Sequence, residues 1–180
     1  MPFDTAKPDV DEIPLPGERP AATALRLAIL KAQSVATVQH GAPAGTLTNT
    51  VIIGSDQVAD LGGAHIGKPG TRERAFAQLA SMRGKTLIFH TALAVIDAES
   101  GRIQSSVVPT TVLFRDYSNA EIEYYLDHEN ALDCAGSAKS EGLGAALIAR
   151  MTSDDPTALI GLPLLTLTEM LMAEGIKVLQ

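Results

Sequence analysis

Five short islands of this sequence place charged side chains among apolar or small residues. The islands are Asp9-Val10-Asp11-Glu12, Lys31 within an apolar helical stretch, Gly54-Ser55-Asp56-Gln57, Gly67-Lys68-Pro69 and residues 135–142. Carboxylates are the ligands that Mg²⁺ and Mn²⁺ prefer, and lysine ammonium groups bind phosphate oxygens as point charges. The pattern therefore indicates a site for a metal-bound polyphosphate.

Each island also has a purely structural interpretation. The acidic run at 9–12 is typical of a solvated loop, Asp56 could cap a strand, and Gly67-Lys68-Pro69 has the composition of a turn. Lys31 could extend past its apolar surroundings to water. Residue types alone leave both interpretations open.

Other site chemistries have less support. Cys134 is the only cysteine, so an internal disulfide is excluded, and no histidine lies near it in sequence to activate it as a nucleophile. Metal-ligand spacing is lacking among the four histidines, which are His40, His65, His90 and His128. The sequence contains neither a P-loop nor a Rossmann glycine fingerprint.

Length and composition predict one globular domain over residues 1–180. Hydrophobic residues make up 46% of the 180 residues and charged residues 19%, which argues against disorder. A net charge of -7 disfavours nucleic acid as a partner, because a phosphate backbone repels an acidic surface. The N-terminus lacks the apolar core of a signal peptide, and no stretch is apolar enough to span a membrane, so we expect a cytoplasmic protein.

Helices and strands interleave along the chain. Periodicity and end signals predict helices over 21–39, 72–82, 118–127 and 163–173, and strands over 51–55, 86–97, 103–115 and 145–151. Residues 41–49 and 134–144 have the composition of loops, the second of a binding loop. The alternation predicts an α/β fold with a mixed central sheet flanked by helices.

Two features of these elements bear on the site. Lys31 falls in the middle of the apolar arc of the first helix, although lysine is rarely buried without a partner. The strand at 51–55 would deliver Asp56 and Gln57 at its C-terminal end, where α/β sheets place their ligand crevice.

In order and spacing, the islands resemble the motifs of the Maf family of nucleoside triphosphate pyrophosphatases. The matching segments are Val10-Asp11-Glu12, Arg26-Leu27-Ala28-x-x-Lys31-Ala32, Ile53-Gly54-Ser55-Asp56-Gln57-Val58, Ile66-Gly67-Lys68-Pro69, Ala135-Gly136-Ser137-x-Lys139-Ser140-Glu141-Gly142 and Gly161-Leu162-Pro163-Leu164. The resemblance covers residues 8–176 and implies the family's fold, which is similar to that of inosine triphosphatase. Gln57 after Asp56, and the Lys139 to Gly142 motif, are similar to the branch that hydrolyses 7-methyl-GTP.

The resemblance implies hydrolysis of 7-methyl-GTP, or of a related modified nucleotide, to the monophosphate and pyrophosphate. It implies that Asp56 is the catalytic proton acceptor and that Asp56 and Glu12 hold a divalent metal, Mg²⁺ or Mn²⁺. Lys31, Lys68 and Lys139 would bind the phosphates.

Base choice is implied to depend on Gln57 and Glu141. A carboxylate that accepts the N–H groups of guanine is chemically apt, and the positive charge of a 7-methylated base favours it further. The implied partners are the nucleoside triphosphate substrate and, as often in the family, a second copy in a homodimer.

The resemblance also implies one difference. Family members begin with a strand and an S-x-S-x-x-R-R loop that contacts the triphosphate, whereas this sequence begins at Met1-Pro2-Phe3, about where the second strand of the family begins. We therefore expect the first strand and loop to be lacking, either through a misassigned start or in a shortened homologue. An alternative function is a non-catalytic nucleotide-binding or cell-division regulatory protein on the same scaffold.

Overall fold

The computed structural model describes residues 2–40 and 50–179, so the predicted loop at 41–49 lies outside the described residues. The described residues form four helices and five strands, in the order α1 (Pro20–His40), β1 (Val51–Leu61), β2 (Ala64–Ile66), α2 (Arg72–Met82), β3 (Thr86–Asp97), β4 (Ile103–Phe114), α3 (Asn119–His128), β5 (Ile148–Ser153) and α4 (Leu164–Ala173). Three short 3-10 helices lie at Ala135–Ser137, Leu143–Leu147 and Ala158–Ile160.

Three of the predicted helix starts, those of α1, α2 and α3, are confirmed, while α4 begins at Leu164, one residue after the predicted start. Pro20 occupies the first position of α1, where the missing N–H costs no hydrogen bond. The Thr71 side chain accepts the backbone N–H of Arg74 ahead of α2. Ser118 and Glu121 form a reciprocal capping box at the start of α3.

The central sheet has the strand order β2-β1-β3-β4-β5. The predicted α/β class is confirmed, but all four pairings between the described strands are antiparallel, where a mixed sheet was expected. Tight turns at Gly62-Gly63 and at 97–101 join neighbouring strands, and a tight turn allows only an antiparallel pair. The last strand starts at Ile148 instead of 145, because residues 143–147 close a 3-10 helix first.

Helices cover both faces of the sheet. On one face, α1 packs through a row of alanines, Ala24, Ala28, Ala32 and Ala36, against β1 and β3. On the other face, α4 packs against one end of β3, while α2 and α3 cover the other end. Within the described residues, no helix combines the length and apolarity needed to cross a membrane.

Gly54 sets how closely α1 approaches β1. A Cβ atom at Gly54 would lie 2.3 Å from the Ala28 carbonyl oxygen and 2.8 Å from the Ala32 nitrogen. The helix backbone therefore rests on a position that only glycine can fill. Two residues further along the same face of β1 is Asp56, which this close approach brings within reach of Lys31.

Candidate active site

Four of the predicted site residues form one chain of ion pairs. The Lys31 ammonium Nζ lies 2.6 Å from Asp56 Oδ1 and 2.7 Å from Glu12 Oε1. Lys68 Nζ follows at 3.8 Å from Glu12 Oε2. The charges alternate along the chain, so the two carboxylates are compensated by two lysines and the cluster carries no net charge.

These side chains come from four separate parts of the fold. Asp56 lies in the middle of β1 and not at its C-terminal end as predicted, because β1 pairs with β3 from Val51 to Asp60 before turning into β2. Lys31 lies on α1, and Lys68 follows β2. Glu12 lies in the segment before α1, which contains no helix or strand.

A cleft of about 250 Å³ brings these elements together. Its lining contains Glu12, Pro14, Thr23, Leu27, Asp56, Gln57, Val58, His65, Ile66, Gly67, Lys68 and Ala135. Residues 56–58 belong to the part of β1 that precedes its short pairing with β2, which covers only residues 59–61. The outer edge of β1 beside Asp56 thus has no strand partner among the described residues.

Burial and pairing perturb the acid and base groups of the cluster. Burial raises the pKa of Asp56, whose side chain is 9% exposed, and the hydrogen bond from Lys31 lowers it only in part. For Lys31, burial alone favours loss of the proton, but the hydrogen bonds to Asp56 and Glu12 outweigh it and raise the pKa of the ammonium group. Lys31 thus stays charged between two carboxylates.

The other two members of the chain are more open to solvent. The hydrogen bond from Lys31 lowers the pKa of Glu12 despite partial burial. The Glu12 side chain is 48% exposed and that of Lys68 60% exposed, so both can turn toward a ligand at little desolvation cost.

The carboxylates fit a hard divalent cation that also binds substrate. Among the described residues, no group of three histidine, cysteine or acidic side chains is arranged to hold a metal. Mg²⁺ commonly uses only one or two protein carboxylates, with waters and substrate phosphates completing its coordination. Asp56 Oδ2 has no hydrogen-bond partner among the described residues, and Glu12 is free to move, so the donor set suits that mode.

Gln57 lies next to Asp56 but directs its amide to the opposite face of the sheet. Its Nε2 donates to Thr91 Oγ1 at 2.9 Å and to the carbonyl oxygens of Ala158 and Leu159 at 3.0 Å each. Ser55, on the same face, donates to the Gly161 carbonyl at 2.8 Å. Together these bonds fix residues 158–161, the segment that leads into α4.

Lys139 and Glu141 lie outside the charge cluster and do not line the cleft. Lys139 Nζ lies 3.4 Å from Glu129 Oε1, and its backbone N–H donates to the Tyr125 hydroxyl. Glu141 is exposed and contacts Ser140. Their loop connects to the cleft through Ala135, which lines it.

His65 and Thr23 line the cleft without having been predicted as site residues. His65 lies in a three-residue strand with no local pattern, and in the sequence it was tested only against metal-ligand spacing, which it lacks. Thr23 is buried in the first turn of α1, where nothing in its sequence context distinguishes it from a core residue. The site as a whole is a cleft of an α/β protein beside which two carboxylates and two lysine ammonium groups form one chain of ion pairs.

Comparison with known proteins specifies the family. A family model described as Maf-like protein matches residues 1–174. A 7-methyl-GTP pyrophosphatase of Thiobacillus denitrificans is 54% identical over 179 residues, which cover 99% of this chain and 85% of the relative. Relatives with the same name in Aromatoleum aromaticum and Burkholderia thailandensis are 54% identical over 98% of the chain and 55% identical over 97%, covering 87% and 79% of those proteins. The chain belongs to the Maf family.

Proposed function

We propose that this protein is a nucleoside triphosphate pyrophosphatase that hydrolyses 7-methyl-GTP to 7-methyl-GMP and pyrophosphate. The observation that carries the proposal is the single chain of ion pairs Asp56–Lys31–Glu12–Lys68 beside one cleft. The names of relatives more than half identical over nearly the whole chain support the choice of substrate.

In this proposal Asp56 accepts a proton from the attacking water. The water oxygen joins phosphorus as the anhydride bond between the α- and β-phosphates breaks, and pyrophosphate leaves with the bond electrons. Lys31 and Lys68 stabilise the negative charge on the phosphate chain. A divalent cation, Mg²⁺ or Mn²⁺, bound by Asp56 and Glu12 would neutralise further charge on the triphosphate.

Lys31 has one set of partners in the structure and would have another when a triphosphate is bound. In the structure it neutralises Asp56 and Glu12 at 2.6 and 2.7 Å. A bound triphosphate offers Lys31 other acceptors, which would release Glu12 and Asp56 toward the cation. The ion-pair chain thereby keeps the buried Asp56 carboxylate compensated until substrate and cation arrive together.

Recognition of the base is assigned to Gln57 and to the loop from Lys139 to Gly142. The exposed carboxylate of Glu141 would accept the N–H groups of guanine, and Lys139 would approach the phosphates from the same loop. Gln57 would affect base choice by fixing residues 158–161, because its amide nitrogen already donates to that segment.

The test is pyrophosphate release from 7-methyl-GTP with and without Mg²⁺ or Mn²⁺. Asp56→Asn should abolish release without loss of the folded circular dichroism spectrum. Asp116→Asn, which changes an exposed aspartate that does not line the cleft, should leave the rate of release unchanged. Undiminished turnover by Asp56→Asn would remove Asp56 from the reaction. Tight nucleotide binding by the wild-type protein without any release, with metal present, would instead support the non-catalytic nucleotide-binding homologue.

The proposal extends to the state of the protein in the cell. We propose that residues 1–180 form one domain, that the protein is a homodimer and that it is located in the cytoplasm. Limited proteolysis, sedimentation at several concentrations and cell fractionation test these three statements separately.

A further inference from the structure

A chain of hydrogen bonds leads from the cleft into the first turn of α1. His65 Nε2 lies 2.9 Å from the hydroxyl of Thr23, which in turn lies 2.9 Å from Glu18 Oε2. Glu18 is held by Arg26, whose Nε and Nη2 donate at 2.7 and 2.8 Å. Thr23 is only 1% exposed, so water cannot readily replace a partner in this chain.

The direction of each bond follows from the chemistry of Glu18. The hydrogen bonds from Arg26 and from the Leu15 backbone N–H lower the pKa of Glu18 to about 2, so it is an ionised carboxylate that can only accept. Thr23 therefore uses its single proton to donate to Glu18. Its oxygen is left to accept, so the His65 nitrogen facing it carries a hydrogen.

This pattern fixes the tautomer of a neutral His65 ring. With the hydrogen on Nε2, the other nitrogen, Nδ1, carries a lone pair and is an acceptor. Nδ1 has no hydrogen-bond partner among the described residues, and it is not among their buried unpaired nitrogen and oxygen atoms, so it reaches solvent. Since His65 lines the cleft, this acceptor is available to a ligand there.

The groups of a nucleoside triphosphate that can meet such an acceptor are few. Phosphate oxygens have no protons to donate, so the choice lies between the sugar hydroxyls and the N–H groups of the base. His65 is paired with Asp60, four residues along β1 from Asp56, or about 13 Å along the strand. It therefore meets a part of the ligand beyond the phosphate that Asp56 serves.

We propose that His65 binds a hydroxyl group of the nucleotide sugar through Nδ1, and that Thr23 and Glu18 position the ring for that contact. This role rests on the proposed function of the cleft. The base N–H groups are assigned there to Glu141, which leaves the sugar for His65. The consequence is selectivity for a ribonucleotide over a nucleotide that lacks the contacted hydroxyl.

Two conservative variants separate the two ring nitrogens. Glutamine reaches the position of Nε2 and can still donate to Thr23, but it has no acceptor at Nδ1, whereas asparagine reaches only as far as Nδ1. His65→Gln should raise KM for 7-methyl-GTP by about 3- to 10-fold, as for one neutral hydrogen bond, and leave kcat unchanged. His65→Asn should stay closer to the wild type.

The decisive comparison uses the 2′-deoxy and 3′-deoxy forms of 7-methyl-GTP. The wild-type protein should discriminate against one of them by about the same factor, and His65→Gln should lose that discrimination. An equal loss on all three substrates, or no loss on any, would overturn the proposal. His128→Gln is the matched control, because His128 stacks on Tyr124 on α3 and should change neither KM nor kcat.

The tautomer can be tested without turnover. The ¹⁵N chemical shifts of the His65 ring, assigned by comparison with His65→Gln, should report hydrogen on Nε2 at neutral pH, and hydrogen on Nδ1 alone would contradict the proposal. If the wild-type protein releases no pyrophosphate from 7-methyl-GTP, the proposed function has failed. Calorimetric binding of the ribose and deoxyribose forms, with Mg²⁺, then still decides whether His65 recognises the sugar.

Discussion

Burial of the Lys31 ammonium group is unfavourable by itself, but its charge compensates the buried carboxylate of Asp56. Its side chain is 17% exposed on the face of α1 that packs against the sheet, where an unpaired ammonium group would be costly. Asp56 and Glu12 compensate that cost, and Lys31 in turn compensates the burial of Asp56. The three charges are therefore interdependent.

This interdependence predicts the result of removing Lys31. Lys31→Met should lower the free energy of unfolding by roughly 2–4 kcal/mol, because Asp56 is left buried without a counter-charge. The double variant Lys31→Met/Asp56→Asn should regain most of that loss, as measured by urea denaturation, while neither variant releases pyrophosphate. Equal stabilities of the single and double variants would show that the pair is not coupled.

Glu18 predicts a dependence of stability on pH. Its pKa is lowered in the folded protein from 4.5 to about 2, so its contribution to stability is present above pH 4.5 and is lost as the pH falls toward 2. Glu18→Gln should therefore be less stable than wild type at pH 7. The difference should shrink as the pH falls below 4.5, which urea denaturation of both proteins at pH 7 and pH 3.5 will show, and a difference independent of pH would contradict the assignment.

Among the elements, the contact between α1 and β1 sets the geometry of the site. Gly54 leaves no space for a side chain under the Ala28 carbonyl, and Lys31 and Asp56 meet next to this point. The spacing between α1 and β1 thus determines the distance between the charges of Lys31 and Asp56.

A methyl group at Gly54 should separate the two elements. Gly54→Ala should destabilise the protein by about 3 kcal/mol, because the new Cβ would meet backbone atoms that cannot move independently, and it should also reduce pyrophosphate release. Gly67→Ala is the control for stability, since a Cβ there meets no atom within 4 Å. Thermal unfolding of both variants gives the comparison, and equal midpoints would contradict the close contact.

The end of α3 holds the loop that carries Glu141. Glu129 accepts the backbone N–H of Leu143 at 3.1 Å and pairs with Lys139, while Tyr125 accepts the Lys139 N–H. Glu129→Ala should increase hydrogen exchange at the Leu143 amide by about 10-fold, because the bond that protects it is lost. Glu123→Ala should not, since Glu123 on the same helix pairs with Arg72, and protection that is unchanged in Glu129→Ala would show that the loop is held otherwise.

Over the whole molecule, local signals in the sequence predicted more than non-local ones. The capping residues, the helices and the interleaved α/β order could be predicted because each depends on neighbours a few positions away. The antiparallel pairing and the length of β1 depend on which strand lies beside it, so Asp56 was placed at a strand end and lies in its middle.

The candidate site divides in the same way. Glu12, Lys31, Asp56 and Lys68 could be expected together because their motifs resemble those of the Maf family in order and spacing, whereas residue types alone left the grouping open. Neither the hydrogen bonds of Gln57 to Ala158 and Leu159 nor the pairing of Lys139 with Glu129 has such a signal, because the partners are distant in sequence or lie in an irregular loop.

Ligand binding should stabilise the molecule only when nucleotide and cation are both present. Nucleotide alone would draw the lysines away and leave the carboxylates without counter-charges, and the cation alone would do the reverse. Together they pair with both the lysines and the carboxylates. A non-hydrolysable 7-methyl-GTP analogue with Mg²⁺, at about 100 times its Kd, should add about 2.7 kcal/mol to the free energy of unfolding. Differential scanning fluorimetry with each component alone is the control, and an equal shift from the nucleotide alone would argue against a shared site.

Side-chain contacts hold the segment before α1 against the helix, and one of them, between Lys31 and Glu12, belongs to the charge cluster. Ser34 contacts Asp9, Arg26 contacts the Ile13 carbonyl, and Lys31 holds Glu12, yet residues 2–19 contain no regular structure and are mostly exposed. A ligand that binds Lys31 and Glu12 therefore breaks the ion pair between them, and it holds the segment through Glu12 instead. Ligand binding in the cleft should therefore change the rate at which proteases cut this segment, so that either measurement reports the same binding equilibrium.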